Sequence, residues 1–298
     1  MIRSGTRVCD VPGTVIVTDS TASIPLDQAQ ARGIVVVPLQ VVIGAQVHDE
    51  GPGGATPELV ARALAGFVPV STSRPNPATM AETYERLARE GADEIVSIHL
   101  SGAMSGTFES AQLAARQVDV HVTVIDSRQV GVATGYAAMS AADVLDAGGS
   151  AAEAARAARD RAASATSLFY VDTLEYLRRG GRIGAAAAIL GGALAVKPLL
   201  GIVDGKVANL ERVRTGARAL ARLEDLAVEA AGDLPVDVCV AHLASRDRAE
   251  QLTSALAERL AEGLAGRDIW CGELGAVLGA HVGPGMVAVC VAPRLPGG

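Results

Sequence analysis

The chain has 298 residues, of which 49% are hydrophobic, 20% charged and only 3% aromatic, and its formal net charge is −7. That length exceeds an ordinary single domain and predicts two. The acidic balance lacks the basic footprint of a nucleic-acid binder and the polybasic patch of a membrane-surface protein, and so few aromatics leave no stacking platform for single-stranded nucleic acid.

The opening MIRSGTRVCDVPG has no apolar core and is not read as a signal peptide. TVIVTDS (14–20) reads as a buried strand ending in a polar loop, PLDQAQARG (25–33) as a short helix, and IVVVPLQVVI (34–43) as one or two strands broken at Pro38. Thr56-Pro57-Glu58 is a helix start, because Thr caps and Pro suits the first helical position. VPVSTSRPNPATM (68–80) is turn-rich and reads as a loop leading into the helix AETYERLARE. DEIVSIHL (93–100) and VHVTVIDS (120–127) are further strands, with a small-residue helix between them. Such alternation implies β-α units and a doubly wound, mostly parallel sheet.

Ser150 and Glu153 form a capping box that opens the helix EAARAARDRAA. A domain boundary is expected near its end, giving an N-terminal α/β domain over 1–163 and a C-terminal α+β domain with a mixed sheet over 164–298. Past the boundary, SLFYVD (167–172) is a strand, and TLEYLRRGGRIGAAAAILGGALAV reads as helix, glycine break, helix. The apolar run from Gly184 to Val196 is shorter than the roughly 20 residues a membrane span needs. KPLLGIVDGKVANLERVR (197–214) predicts a hairpin turning at Asp204-Gly205. Two amphipathic helices follow, striped by Leu220, Leu223, Ala227 and Ala230 and by Leu252, Leu256, Leu260 and Leu264, with closing strands at VDVCVAHL, DIWCGELG and MVAVCVAP. The cysteines Cys9, Cys239, Cys271 and Cys290 are widely spaced, and those in strands read as buried free thiols suited to a reducing cytoplasm.

Ligands of a doubly wound domain meet the loops at the carboxyl ends of its strands. Those loops hold Thr18 to Thr21, Ser101 to Gly106, and Asp126-Ser127, and Ser71-Thr72-Ser73 precedes another helix. The set is rich in hydroxyls and glycine and poor in bases. A hydrolase elbow is Gly-x-Ser-x-Gly, but in Gly102-Ala103-Met104-Ser105-Gly106 the serine falls one place late. Its histidine would come from His99, His121, His242 or His281, with nothing to choose among them. A Walker loop is missing, since no Gly-Lys-Ser/Thr follows the glycines. A tight turn without ligand is the plain alternative. The chemistry left is anion binding by neutral donors at a helix start near Thr107, suited to a carboxylate or phosphate.

The motifs VTDSTASIP (17–25), STSRPNP (71–77), SGAMSGTFESA (101–111), VIDSRQVGVATG (124–135), LEYLRRGGRIG (174–184), KPLL…DGKV…ERVRT and HVGPG (281–285) run in order along nearly the whole chain. In this series the sequence resembles the DegV family of bacterial fatty-acid-binding proteins. The resemblance implies two α/β domains with a long-chain fatty acid buried between them, no other cofactor or metal, and a carboxyl group held by the Thr-Ser and Ser-Gly-Thr loops. It also implies a separate ATP-dependent fatty-acid kinase as partner, which makes acyl-phosphate for phospholipid synthesis. Position by position, Thr72 is the threonine of the Thr-Ser loop, with Ser73 the alternative donor, and Ser105 is the serine of Ser-Gly-Thr. Arg182 follows the family's Gly-Gly and His281 precedes its Gly-Pro-Gly. Arg74 stands where many members carry glutamine, and Gly102 to Met104 recast the approach to Ser105.

Elementary energetics agree. At about 0.8 kcal/mol per buried methylene, a long acyl chain grosses roughly 10 kcal/mol in an aliphatic tunnel, and a core rich in Ala, Leu, Ile and Val can line one. Gly184 to Val196 is a candidate wall or an ordinary core helix. Two function classes remain: a cytoplasmic carrier without chemistry of its own, or a serine-dependent acyl hydrolase or phosphoryl-transfer enzyme using Ser105. A serine without an adjacent base is a poor nucleophile, which favours the carrier.

Overall fold

The apolar runs at 13–19, 92–99 and 121–126 each lead through a loop into a helix, so the chain returns by crossovers and the strands align in one direction. The computed structural model, which describes residues 13–189 and 197–294, begins with β1 (Gly13–Asp19), a 3-10 turn at Ser20–Ala22, α1 (Leu26–Ala31) and β2 (Val35–Val37). Beyond Pro38 come β3 (Gln40–Ile43), β4 (Gln46–Asp49), α2 (Pro57–Ala65) and β5 (Val70–Ser73). Next are α3 (Pro77–Arg89), β6 (Ala92–His99), α4 (Thr107–Ala115), β7 (His121–Asp126), α5 (Val132–Asp146) and α6 (Ala151–Ser164). Strands pair in the order β2-β1-β6-β7, all parallel. Ile16, Val96, Ile98 and Ile125 are buried under α5 and α6, whereas Val17 and Ile95 face Met80, Tyr84 and Leu87 of α3. Helices therefore cover both faces, as a doubly wound sheet requires. The predicted caps at Thr56 and Ser150 both form.

The second half supplies β8 (Thr166–Tyr170), α7 (Glu175–Arg179), a 3-10 helix at Gly184–Ile189, β9 (Lys197–Val203), β10 (Lys206–Val213) and α8 (Gly216–Ala231). It ends with β11 (Val236–His242), α9 (Arg246–Arg259), α10 (Ala261–Leu264), β12 (Trp270–Glu273), α11 (Ala276–Val282) and β13 (Val287–Pro293). Its mixed sheet has the order β10-β9-β8-β13-β11-β12, with β11 and β12 parallel and the other pairs antiparallel. The hairpin turns at Asp204-Gly205, where φ is 51° and 75°, the left-handed pair that an Asp-Gly turn supplies. Period-two alternation splits the sheet's faces. Leu168, Tyr170, Val238 and Val289 pack under Leu223 and Ala227 of α8 and Leu252 and Leu256 of α9, while Phe169, Leu200, Cys239 and Cys290 face the other way.

Two local readings change, and one helix has no local signal at all. Residues 70–73, read as loop, form β5, which pairs with β3 and so joins β4 in a separate three-stranded antiparallel sheet. Its sequence, VSTS, has no apolar alternation, so the neighbouring strand decides its conformation. Helix α5 is apolar nearly all round because it lies between the parallel sheet and the second half, and such a helix carries no amphipathic signal. The expected helix after Gly184 is a 3-10 helix over its described part, packing Ala186 near Val207 rather than lining a tunnel; residues 190–196 lie outside the described residues. Among the described residues no helix is long and apolar enough to cross a membrane.

Candidate functional site

The loop after β6 is fastened from both halves of the chain. Ser101 N–H donates to the Gln129 carbonyl at 2.8 Å, and the Ser101 hydroxyl donates to the Gly205 carbonyl at 2.7 Å, at the tip of the β9–β10 hairpin. The Ser101 carbonyl accepts from the N–H groups of Met104 and Ser105, both at 3.0 Å. Arg182 donates through Nε to the Met104 carbonyl at 3.0 Å and through Nη1 to Gly180 at 2.6 Å. Ser105 is thereby presented at the start of α4. Its hydroxyl accepts the Thr107 N–H at 3.3 Å and bonds the Thr107 hydroxyl at 2.9 Å. When Thr107 donates to it, the Ser105 O–H is free to donate elsewhere.

A second hydroxyl is prepared in the same way. Thr72 on β5 bonds Nε2 of His281 on α11 at 2.8 Å, and His281 Nδ1 is buried without a partner among the described residues. Buried N–H groups left unpaired are the rarer defect, so the proton belongs on Nε2, which donates to Thr72 and turns the Thr72 O–H outward. Burial, followed by the nearby Arg182 charge, lowers the His281 pKa to about 4. The imidazole is therefore neutral at pH 7. Helix α11 stands against β3 and β5 through Val277 and Ala280, which share a buried cluster with Leu39 and Val41. Glu50 ties its start down, accepting from Val277 N–H at 2.8 Å and from the Ser20 hydroxyl at 2.5 Å.

Thr72, Ser73, Ser105, Arg182 and His281 all line one cavity of about 450 Å³. Thr72 and Ser105 are half-buried, whereas Ser73 is exposed and its hydroxyl donates to the Arg74 carbonyl at 3.2 Å. The rest of the lining is mostly apolar, including Leu100, Met104, Phe169, Leu278 and Met286, and the free thiols of Cys239 and Cys290. Arg74 stands at the rim, donating to the Gly106 carbonyl at 3.3 Å and to Glu109 at 2.8 Å. Motif reading missed Phe169, Leu278 and Met286; nothing in their local sequence marks them, because they meet only through tertiary packing.

Asp19, His99 and Asp126 of the other polar loops are not in the cavity's described lining. Asp19 is fully buried and accepts from Thr21 N–H (3.1 Å), Thr21 O–H (2.5 Å), His99 Nδ1 (2.9 Å) and Leu100 N–H (3.1 Å). His99 Nε2 bonds Ser97, which bonds Tyr84. Asp126 receives Gly102 N–H at 3.1 Å and Arg128 N–H at 2.8 Å. Of the histidines weighed as a base, His99 is thus committed to Ser97 and Asp19, and His281 to Thr72. Ser105 is bonded to Thr107. The chemistry within reach is recognition of an anion by two neutral hydroxyls and a half-buried guanidinium that line a mostly apolar chamber.

A family model for DegV, described as an uncharacterised protein of the DegV family, matches residues 14–294. The chain belongs to the DegV family. A DegV domain-containing protein of Streptomyces coelicolor is 51% identical over 280 residues, covering 94% of this chain and 98% of that one. Two solved DegV structures share the fold at 30% identity, each covering 94% of this chain and 99% of its own. One, described as showing fatty-acid binding of a DegV family protein from Thermus thermophilus, superposes with a TM-score of 0.85. The other, DegV from Bacillus subtilis, described as a fatty acid binding protein, superposes with a TM-score of 0.86. The parallel sheet and the mixed sheet of this chain are those of the DegV fold.

Proposed function

We propose that this DegV-family chain is a cytoplasmic carrier that binds one long-chain fatty acid and has no chemistry of its own. The acyl chain occupies the 450 Å³ cavity, between domains taken as 1–163 and 164–298, and the carboxylate sits where Thr72 and Ser105 converge. The observation that carries this reading is the make-up of the cavity: two hydroxyls, each with a partner behind it, line a mostly apolar chamber. Each buried methylene contributes about 0.8 kcal/mol and each hydrogen bond to the charged head group about 1.5–3 kcal/mol. Arg182 adds attraction for the anion, and Ser73 is a rim contact. Two relatives at 30% identity described as binding fatty acid support the ligand class.

The carrier presents the carboxylate to a separate ATP-dependent fatty-acid kinase, whose acyl-phosphate product feeds phospholipid synthesis. The exposed rim at Ser73 and Arg74 is the side from which such a partner reaches the head group. The deciding experiment is mass spectrometry of lipid extracted from protein gently purified from a bacterial host. About one long-chain fatty acid per chain is expected. Phospholipid, nucleotide or nothing in its place overturns the reading. The purified chain should not turn over ATP or acyl esters unaided; turnover that vanishes in Ser105→Ala would make it an enzyme.

A further inference from the structure

Adjoining the fatty-acid cavity is a second cavity of about 220 Å³, lined by the segment leading into α1, by α5 and by the β12 edge of the mixed sheet. Val132 lines both cavities. Tyr136, one turn further along α5, and Trp270 on β12 line the smaller one. Both also pack against the cluster that holds Phe169, Cys239 and Cys290, which line the larger. Trp270 is the cross-strand neighbour of Cys239. Burial, then the neighbouring thiols of Cys239 and Cys290, push the Tyr136 hydroxyl pKa upward, which fits its place against that cluster.

This partition is firmly seated. Gly135 lets α5 close on the turn after β1, where a Cβ would fall 2.4 Å from the Ala22 carbonyl oxygen. Gly272 makes room for the Trp270 indole, since a Cβ there would lie 2.5 Å from its ring. The Arg161 guanidinium lies over the Tyr136 ring, 5.4 Å from its centroid. Ile24 and Met139 also line the smaller cavity, as do the Arg32–Asp143 and Arg267–Asp237 pairs at 3.2 and 2.9 Å. Ser23, Gln28, Ser140 and Asp268 also line it, but Arg32, Arg161 and Arg267 are each paired with a carboxylate and so are not free to hold an anion, while Ala22, Ile24, Pro25 and Met139 offer apolar surface to the end of a hydrocarbon chain.

We propose that Val132, Tyr136 and Trp270 gauge acyl-chain length: the tail runs from the Thr72–Ser105 end to this partition, and only tails longer than the first cavity press past it into the second. The inference rests on the fatty-acid reading above and adds its specificity. Each methylene that gains or loses burial changes affinity about fourfold, so the partition sets where affinity stops rising with length.

The test uses delipidated protein and calorimetric titration with lauric, myristic, palmitic, stearic and arachidic acids. Trp270→Ala opens the partition, and the ratio of arachidic to palmitic affinity should rise at least about tenfold over wild type. Val132→Phe thickens it, and the ratio of palmitic to lauric affinity should fall by a similar factor. Trp270 is the only tryptophan in the chain, so wild-type emission should respond to stearic acid and not to lauric acid. If Trp270→Ala fails to fold, Val132→Phe and the emission decide. Unchanged ratios, with emission indifferent to length, remove the gauge and leave the carrier standing. A wild type that binds none of the acids removes both.

Discussion

Thr72 and His281 are 209 positions apart and share a hydrogen bond of 2.8 Å across the two halves of the chain. The bond depends on Gly180, where a Cβ would lie 2.2 Å from His281 Nδ1. A residue on the small three-stranded sheet, one on α11 and one after α7 thus set a single hydroxyl in the lining of the cavity.

Removing either hydroxyl of the head-group clamp should weaken acid binding. A hydrogen bond to a charged acceptor is worth about 1.5–3 kcal/mol, so Ser105→Ala and Thr72→Val should each cost roughly tenfold or more in affinity by calorimetry. Both act on one carboxylate, so the double variant should lose less than the sum. The long-chain methyl ester, which lacks the charge, should bind the variants and wild type alike. An ester that loses as much affinity as the acid would show that these hydroxyls shape the fold instead.

Stability should fall with acidification through His281. Its folded-state pKa of about 4 lies below the ordinary 6.5, so between these values the unfolded chain binds the proton more readily. The contribution is complete above about pH 6.5 and is lost as pH falls toward 4. Allowing for partial exposure, it amounts to about 1–2 kcal/mol. Tm of wild type measured across this range should drop more steeply than that of His281→Gln; parallel curves would place the titration elsewhere.

Gly205→Ala should loosen the loop that carries Ser105. Gly205 has φ of 75°, and a Cβ there would sit 2.6 Å from the Ser101 hydroxyl oxygen. Strain and clash together should cost about 1–3 kcal/mol in chemical denaturation. Ser101→Ala removes the clashing atom, so the double variant should recover part of the loss. No recovery would mean that the damage lies in the hairpin turn alone.

Asp19 should be the most sensitive of these polar positions. It accepts four hydrogen bonds in full burial, and Asp19→Ala would orphan their donors, at a cost of about 3–5 kcal/mol. Tyr84→Phe, at the far end of the same network through Ser97 and His99, should cost only about 1 kcal/mol. Urea midpoints that rank the two in the opposite order would displace Asp19 as the hub.

Elements with local signals were legible along the chain. Alternating apolar runs and capped helices specified the parallel sheet, Asp204-Gly205 specified the hairpin, and the leucine stripes of α8 and α9 specified the outer cover of the mixed sheet. The ordered motifs named Thr72, Ser73, Ser105, Arg182 and His281, and all five reach one cavity. The remaining features depend on contacts between distant segments. β5 is a strand because β3 pairs with it, and α5 carries no amphipathic stripe because both of its sides are covered. The Thr72–His281 bond, the Ser101–Gly205 fastening and the partition at Val132 and Trp270 join distant segments. Contacts of that kind are set by how the two halves dock, and no window of neighbouring residues encodes them.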